Sequence, residues 1–302
     1  MLPVSIVIPT YGRGSLLARF LATYVNQDCA EIIIVDDGSE PPAADVIPSL
    51  PRVCVIRNRK RMQQPVSRMI GVAAASQRFV FFGEDDAYLS PGHVRALYEQ
   101  LKSDTADVVA TTWISTSKFD EDVGSRYEEA RTMDDLVDLR RIDFWGWKRP
   151  LRPLTVPWLH TLALMPKSMI NSIGFDPGYT GNALREETDF YVRAHAAGAR
   201  LAFVPGPPAF HYKGPEAIHG GQHPRRVVSG LLWYEYHAVR NNYRFLVKNR
   251  SLLLQLGPRA RPLWESVLFL LRRMSGYPGR LRWAIRAERS TISSRVIATH
   301  GQ

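Results

Sequence analysis

Three consecutive acidic residues follow a short apolar run in the first third of the chain. Residues 79–82 are apolar, and Glu84, Asp85 and Asp86 come shortly after them. Adjacent carboxylates repel one another, so they are typically found where a cation or several hydrogen-bond donors neutralise them. The pattern predicts a site for Mg²⁺ or Mn²⁺. The alternative for so short a motif is a solvated acidic turn.

Two further groups of carboxylates occupy comparable places. Asp36 and Asp37 follow the apolar run at residues 32–35. Glu186, Glu187 and Asp189 stand at the start of the segment with helical spacing at residues 188–198. From the residues alone, the pair could have a capping or turn role, and the second group could mark a helix N-terminus, which favours acidic residues.

Apolar runs alternate with helical segments along the first two thirds of the chain. Strands are predicted at residues 4–8, 32–35, 53–57, 79–82, 107–112, 156–165 and 199–204, and helices at 15–24, 65–74, 91–101, 166–173 and 188–198. Ligands of open parallel sheets bind beyond the carboxyl ends of the strands, so the polar strand ends share one crevice. We predict an α/β fold with a mainly parallel, Rossmann-like sheet flanked by helices. Residues 118–153 lack a clear period and are predicted to form a long loop over the crevice.

Four segments together resemble the family 2 glycosyltransferases. They are residues 4–11 (VSIVIPTY), 34–39 (IVDDGS), 83–86 (GEDD) and 185–190 (REETDF), in the family's order and approximate spacing over residues 3–212. The resemblance implies the GT-A fold and inverting transfer of a sugar from a nucleotide-diphosphate donor, UDP- or dTDP-linked, with Mg²⁺ or Mn²⁺. The implied acceptor is a hydroxyl of a glycan, a glycolipid or a lipid-linked molecule.

The resemblance also implies a set of donor-binding residues. Tyr11 matches a residue that stacks on the base, and Arg13 one that lies near the phosphates. Asp36 or Asp37 would accept hydrogen bonds from the base or the ribose. Arg68 matches a basic residue near the diphosphate, where a solvated helix charge is the alternative. The complete set is Pro9, Thr10, Tyr11, Arg13, Asp36, Asp37, Arg68 and Asp85.

The metal ligands are implied in the same way. Asp86 matches the metal-holding aspartate of the family's Asp-x-Asp element, and Glu84 stands where that element usually begins with aspartate. The longer Glu84 side chain would contact either the cation or the ribose and water. His211 stands where some GT-A enzymes supply a further ligand; His219 and His223 are rivals, and a structural histidine is the alternative.

Glu187 matches the family's catalytic base, which removes the proton from the acceptor hydroxyl as that hydroxyl attacks the anomeric carbon. Its neighbours Glu186 and Asp189 would position the acceptor or pair with Arg185. All three residues are therefore expected at the acceptor side of the crevice.

The charge is unevenly distributed along the 302 residues. The formal net charge is +10, and residues 225–302 contain fifteen Lys and Arg against three Glu, which leaves about −2 for the preceding residues. Apolar residues recur there at helical spacing between the arginines. We expect a catalytic domain at 1–224 and a basic amphipathic helical extension at 225–302 that meets an anionic membrane surface. The alternatives are packing on the catalytic domain or a homodimer.

Composition restricts the other function classes. The two cysteines, Cys29 and Cys54, give neither a disulfide framework nor metal-ligand spacing. We therefore expect a cytoplasmic protein. A further hypothesis is that it is peripheral on the inner face of the cytoplasmic membrane. A sugar-nucleotide pyrophosphorylase would carry a glycine-rich phosphate loop where Pro9, Thr10 and Tyr11 stand. The remaining alternative is a non-catalytic nucleic-acid- or membrane-binding protein on a nucleotide-binding scaffold, although the tail has no recognised nucleic-acid-binding module.

Overall fold

An eight-stranded mixed sheet forms the centre of the structure. The computed structural model describes residues 1–103, 105–119, 127–214, 217, 228–256 and 262–299. The strands are β1 Leu2–Thr10, β2 Cys29–Asp36, β3 Val53–Arg57, β4 Phe79–Phe82, β5 Ala87–Leu89, β6 Val108–Ala110, β7 Trp113–Thr116, β8 Glu129–Ala130, β9 Val137–Asp138, β10 Asp143–Phe144, β11 Arg149–Pro150, β12 Leu154–Thr155, β13 Ala163–Pro166, β14 Leu201–Phe203 and β15 Ala209–Tyr212. The α-helices are α1 Gly14–Val25, α2 Gln64–Ala74, α3 His93–Lys102, α4 Lys167–Ile173, α5 Glu186–Ala196, α6 Val228–Lys248, α7 Arg250–Leu256 and α8 Pro262–Thr299.

The main sheet has the strand order β12-β14-β6-β13-β4-β1-β2-β3. Strands β4, β1, β2 and β3 are parallel to one another, whereas β13 lies between β4 and β6 and runs antiparallel to both. The carboxyl ends of the parallel strands therefore lie along one edge, where Thr10 pairs with Asp36. This arrangement confirms the predicted α/β fold class.

The central strands are buried on both faces, as their nearly continuous apolar sequences predict. Side chains alternate between the faces with period two. Val7, Val35 and Phe82 belong to one core, and Ile8 and Phe81 belong to the other. Both cores support the strand ends that carry the polar residues.

A three-stranded sheet of β5, β15 and β7 lies beside the main one. Its strand β15 places His211 opposite Ala87, the residue after Asp86. The Tyr212 amide donates a hydrogen bond to the Asp86 carbonyl over 2.8 Å. The two sheets thus bring a residue late in the sequence to the acidic turn after β4.

Some predicted elements differ in extent. The strand predicted at residues 156–165 is β13, which begins only at Ala163, because the preceding segment turns at His160: the Leu162 amide donates to His160 Nδ1 over 3.1 Å. The described parts of residues 118–153 contain the short strands β8–β11 and a 3-10 helix at Met133–Asp135. Cys29 is buried and Cys54 is exposed, and both are free.

The three C-terminal helices are attached in two ways. Phe245, Leu246 and Leu253, from α6 and α7, are buried in the same core as β4 and α5. Helix α8 packs mainly on α6.

The boundary between residues 224 and 225 stays a prediction. Within the described ranges, none of the helices combines the length and the hydropathy that crossing a bilayer requires.

Candidate active site

A pocket of about 200 Å³ opens where the carboxyl ends of β1, β2 and β4 meet. Most of the residues implied by the family resemblance are in its wall. The lining is Pro9, Thr10, Tyr11, Arg13, Asp37, Arg61, Gln63, Gln64, Ser67, Glu84, Asp85, Asp86, Gly181, His211 and Lys213. Residues separated by up to two hundred positions in the chain therefore share one hollow.

The two aspartates after β2 have different surroundings. Asp36 is fully buried and accepts hydrogen bonds from the amides of Ser39 and Ala43, over 2.8 and 2.9 Å, so it shapes the loop behind the pocket. Asp37 lines the pocket. Its carboxylate accepts hydrogen bonds from the Met62 and Gln63 amides over 2.7 and 2.9 Å. Asp37 thereby holds the segment that follows β3 against the site.

The Tyr11 ring is covered by the Arg61 guanidinium. The Arg61 guanidinium carbon lies 4.3 Å from the centre of the Tyr11 ring, a distance typical of a cation–π contact. Both side chains line the pocket. A planar base stacking on Tyr11 would meet Arg61 at the same place.

Arg13 bridges the two aspartates of the acidic turn. Its guanidinium lies 2.6 Å from Asp85 and 2.6 Å from Asp86. The Thr10 hydroxyl donates a second contact to Asp85 over 2.9 Å. Because at most a tenth of each of these side chains is exposed, water competes little with their ion pairs and hydrogen bonds.

Three side chains of the pocket could hold a cation. Glu84, Asp86 and His211 each offer one ligand atom, and these atoms lie within 4.8 Å of one another. Two carboxylates with one imidazole form a donor set that suits Mn²⁺, and the carboxylates alone suit Mg²⁺. The residues present fit the implied metal. His219 and His223, the rival histidines, lie outside the described residues.

The charges around Asp86 fix its protonation state. Although burial opposes ionisation, the Arg13 guanidinium and His211 hold the pKa of Asp86 well below its usual range. Burial and the neighbouring Asp86 charge raise the pKa of Asp85 to about 6, against the opposing effect of Arg13. Burial lowers the pKa of His211, but the Asp86 carboxylate 3.2 Å away outweighs it and raises the pKa overall. Asp86 is therefore the anionic centre of this cluster.

A second pocket, of about 310 Å³, adjoins the first. The two pockets share Glu84, His211 and Lys213 in their walls. The second is otherwise lined by Trp113, Ile142, Asp143, Phe144, Trp158, Leu159, His160, Thr161, Leu162, Leu184, Arg185, Glu187 and Thr188. One carboxylate from the start of α5, Glu187, thus faces a mixed aromatic and polar cavity next to the cation cluster.

The protein environment favours the protonated form of Glu187 more than water does. Burial raises the pKa of Glu187, the Glu84 charge raises it further, and Arg68 partly opposes both. A raised carboxylate pKa brings the group closer to the pH at which a general base works best. Its position in the first turn of α5 also exposes it to the positive end of the helix dipole.

Glu186 and Arg68 form a buried ion pair behind the pockets. The Arg68 guanidinium lies 2.6 Å from Glu186, and both side chains are at most 1% exposed. The guanidinium also lies 5.7 Å from the ring centre of Phe82 and 5.3 Å from that of Phe175. Burial raises the pKa of Glu186, and the Arg68 guanidinium 2.6 Å away opposes this shift by favouring the ionised carboxylate. Neither residue is in the described wall of either pocket, and the expected contact of Arg68 with the diphosphate stays a prediction.

Asp189 is likewise not in the described wall of either pocket. It is completely buried and accepts hydrogen bonds from Tyr179, Arg193, Lys248 and Asn249. These contacts fix the C-terminal helices to α5. The structure therefore gives Asp189 a packing environment rather than the acceptor-facing one that the sequence suggested. Arg185, its expected alternative partner, instead contacts Asn242 over 3.0 Å.

Several residues of the pockets were missed in the sequence. Arg61 and Gln63 follow β3, and the basic run at residues 57–61 directly after a predicted strand was a usable signal for them. Trp113 and His160 had no comparable signal, because neither belongs to one of the four motifs or to a run of charged residues. Gly181 has a φ of +71°, and a Cβ there would lie 2.2 Å from the His237 ring of α6.

Comparison with known proteins decides the family. The family model described as Glycosyl transferase family 2 matches residues 5–154, which include the first motif except Val4 and the whole of the second and third motifs. The chain belongs to glycosyltransferase family 2. The fourth motif and the second pocket's Glu187 lie beyond the matched residues.

Relatives within the family are similar over part of their length. An uncharacterized glycosyltransferase of Bacillus subtilis (strain 168), YwdF, is 34% identical over 134 residues, covering 43% of this chain and 48% of YwdF. Chondroitin synthase of Escherichia coli is 25% identical over 245 residues, covering 70% of this chain and 35% of that enzyme. The chain spans between 35% and 62% of the curated relatives it matches.

Solved structures of other proteins share the fold. S. aureus TarS 1-349 in complex with UDP-GlcNAc superposes with a TM-score of 0.52 at 15% identity, over 82% of this chain and 66% of the TarS chain. A likeness at this identity concerns the fold alone. It agrees with the GT-A fold that the motifs implied.

Proposed function

We propose that the protein is an inverting, metal-dependent glycosyltransferase that moves a sugar from a nucleotide-diphosphate donor to an acceptor hydroxyl. One observation carries this proposal. A pocket with a cation-binding cluster meets a second pocket with a carboxylate of raised pKa, and Glu84, His211 and Lys213 belong to both walls. The anomeric carbon would lie at this junction.

The first pocket would hold the donor. Tyr11 offers a face for the base and Arg13 offers a cation to the diphosphate. Asp37 lines the place of the ribose, although four protein donors already satisfy its carboxylate. A UDP-linked donor is supported by the UDP-GlcNAc complex of TarS, a protein of the same fold; dTDP remains the alternative nucleotide.

Asp86, Glu84 and His211 would hold Mg²⁺ or Mn²⁺. When bound, the cation supplies Lewis-acid stabilisation of the negative charge on the departing diphosphate. Asp86 is poised for this role because it is ionised far below neutral pH. Arg13 and Lys213 would contribute further positive charge on the same side.

Glu187 would act on the acceptor side. It accepts the proton of the acceptor hydroxyl while that oxygen forms a bond to the anomeric carbon and the bond from that carbon to the diphosphate oxygen breaks. With the nucleophile in the second pocket and the leaving group in the first, a single displacement would invert the anomeric configuration. The nucleoside diphosphate leaves through the first pocket.

The acceptor would be a hydroxyl of a glycan, a glycolipid or a lipid-linked molecule. The second pocket combines the aromatic rings of Trp113 and Phe144 with the carboxylates of Asp143 and Glu187. This mixture suits a sugar ring, which has apolar faces and polar edges. Chondroitin synthase, by its name, also builds a glycan.

The expected location follows from the charge of the tail. We propose a cytoplasmic protein that is peripheral on the inner face of the cytoplasmic membrane, where a lipid-linked acceptor would share its surface. We also propose that residues 1–224 act as the catalytic domain, with residues 225–302 as a basic helical extension.

A thermal-shift screen against UDP-, GDP- and dTDP-sugars, each with and without Mn²⁺, tests the donor assignment. A donor at high multiples of its dissociation constant should raise the unfolding midpoint, and Mn²⁺ should enlarge that shift. Donor hydrolysis is then followed with the best nucleotide as release of the nucleoside diphosphate. Absence of any nucleotide-dependent shift or release would refute the proposed function.

A further inference from the structure

Helix α8 turns charged side chains toward the protein. Arg273 contacts Glu235 of α6 over 2.8 Å, and Arg280 contacts the same carboxylate over 2.9 Å. The Arg273 guanidinium also lies 5.5 Å from the ring centre of Tyr234. The face of α8 that packs on α6 is thus held by ion pairs and cation–π contacts.

The opposite face of α8 is apolar and exposed. At 100° per residue, Val267, Leu271 and Met274 lie on the side opposite Arg273 and Arg280. The exposed apolar residues of this face, hereafter the outer stripe, are Trp264 (55%), Val267 (45%), Leu270 (41%), Leu271 (53%), Met274 (60%) and Ile285 (36%). A helix of a globular protein ordinarily has the reverse orientation, with its apolar side inward.

The outer stripe is long enough to be an interaction surface. It extends over 22 residues from Trp264 to Ile285, about 30 Å of helix, and five of its six side chains lie between Trp264 and Met274. Single exposed apolar side chains are ordinary, but a cluster on one helix face marks a surface that a lipid phase or another molecule covers. The sequence left open whether these apolar residues pack on the catalytic domain. Their exposure shows that these six do not.

Charge distinguishes between the two available occupants. Residues 225–302 carry a net charge of +12; the exposed Arg272 borders the outer stripe, and the exposed Arg282 lies on the same face of the helix as Trp264. Two copies of the chain that met along this stripe would bring their basic segments together and repel. Anionic phospholipid headgroups complement the same charge, while the acyl boundary covers the apolar residues.

We propose that α8 lies flat on an anionic phospholipid bilayer, with the outer stripe inserted at the level of the headgroups and upper acyl chains. The Glu235 contacts of Arg273 and Arg280 keep this stripe facing away from α6. The inference gives the proposed membrane association a defined surface. It does not depend on the transfer reaction, because its readout is lipid binding.

Vesicle flotation of the whole protein tests this surface. Vesicles of phosphatidylcholine alone are compared with vesicles that also contain phosphatidylglycerol. Wild-type protein should float with the anionic vesicles, and the double substitution Leu271→Glu with Met274→Glu should reduce the bound fraction by roughly tenfold or more, because it puts charge at the centre of the inserted face. Leu151→Glu is the matched control, since Leu151 is 51% exposed but lies far from α8 in the sequence, and should bind like wild type.

Three outcomes would overturn the proposal. They are failure of the wild-type protein to float with anionic vesicles, equal flotation of the double variant, and a dimer in light scattering that the double variant converts to monomers. Nucleotide binding by the double variant, measured alongside by thermal shift, reports on the fold and on the donor pocket. Loss of flotation with retained nucleotide binding separates this inference from the proposed transfer.

Discussion

Arg13 lies 2.6 Å from Asp86, in the pocket where Asp86, Glu84 and His211 could hold a cation. The guanidinium therefore already occupies one side of the carboxylate that a metal ion would use. Because Asp85 is bound to the same guanidinium over 2.6 Å, Arg13 balances two adjacent negative charges. A metal ion binding at Asp86 would therefore compete with the Arg13 guanidinium.

Replacing Arg13 should strengthen metal binding in the absence of nucleotide. Arg13→Gln leaves Asp85 and Asp86 without their shared cation, so Mn²⁺ affinity should rise by roughly tenfold, equivalent to about 1.4 kcal/mol. Electron paramagnetic resonance of free Mn²⁺ measures the affinity directly. Arg57→Gln, which removes a partly exposed contact with Glu40, is the control. Unchanged or weaker Mn²⁺ binding in Arg13→Gln would show that the guanidinium does not compete for the site.

Removing the proposed base should abolish turnover without damaging the fold. Glu187→Gln should lower kcat by roughly 10²- to 10⁴-fold, the usual contribution of a general base. Donor affinity should be retained, because Glu187 belongs to the second pocket alone. Stability should be equal or slightly higher, since burial penalises the charged carboxylate. Steady-state kinetics and urea unfolding measure these effects, and near-normal kcat would assign the proton transfer to another group.

Its neighbour Glu186 should behave in the opposite way. Glu186→Gln leaves the buried Arg68 charge without its anion, and the free energy of unfolding should fall by about 3–5 kcal/mol. The combined substitution of Arg68→Met and Glu186→Leu should recover much of that loss, because it removes both charges. Urea unfolding of the single and double variants gives the comparison. A fully stable but inactive Glu186→Gln protein would instead point to a direct role for Glu186 in catalysis.

The pH dependence of turnover follows from the pKa of Glu187. A general base must be unprotonated, so kcat/KM should fall as the pH falls through its pKa. Burial places that pKa above the ordinary glutamate value of 4.5, and the acid limb should therefore lie above pH 4.5. A pH profile of kcat/KM locates the limb. Activity that stays constant down to pH 4.5 would be incompatible with a buried Glu187 base.

Asp189 should affect stability and leave acceptor recognition unchanged. Asp189→Asn removes the charge that holds Arg193 and Lys248, and the free energy of unfolding should fall by about 1–3 kcal/mol. The KM for the acceptor should stay at the wild-type value. A raised acceptor KM with normal stability would favour the acceptor-positioning role that the sequence suggested.

Short-range patterns explain what could be predicted from the sequence. The runs at residues 4–8, 32–35 and 79–82 are apolar throughout, and strands with this property are buried on both faces of a parallel sheet. Their polar ends then meet by topology alone. The grouping of Asp37 and Asp86 around one pocket, together with the α/β class, follows from that rule.

Long-range contacts explain what could not be predicted. The Arg68 and Glu186 pair joins residues 118 positions apart, and no local pattern distinguishes such a buried arginine from a solvated one. Asp189 likewise meets Asn249 over 60 positions. For α6 and α8 the periodicity identified amphipathic helices, but it gave no information on which face meets the protein.

The proposed function requires that a metal-bridged nucleotide binds at the carboxyl ends of the strands, beside Asp86. Anomalous X-ray scattering from crystals containing Mn²⁺ and UDP tests this directly, because it locates the metal from its own scattering. We expect one manganese peak within coordination distance of Asp86, with the uracil ring against Tyr11. A peak at another site, or a nucleotide bound away from Tyr11 and Asp86, would refute this placement of the donor.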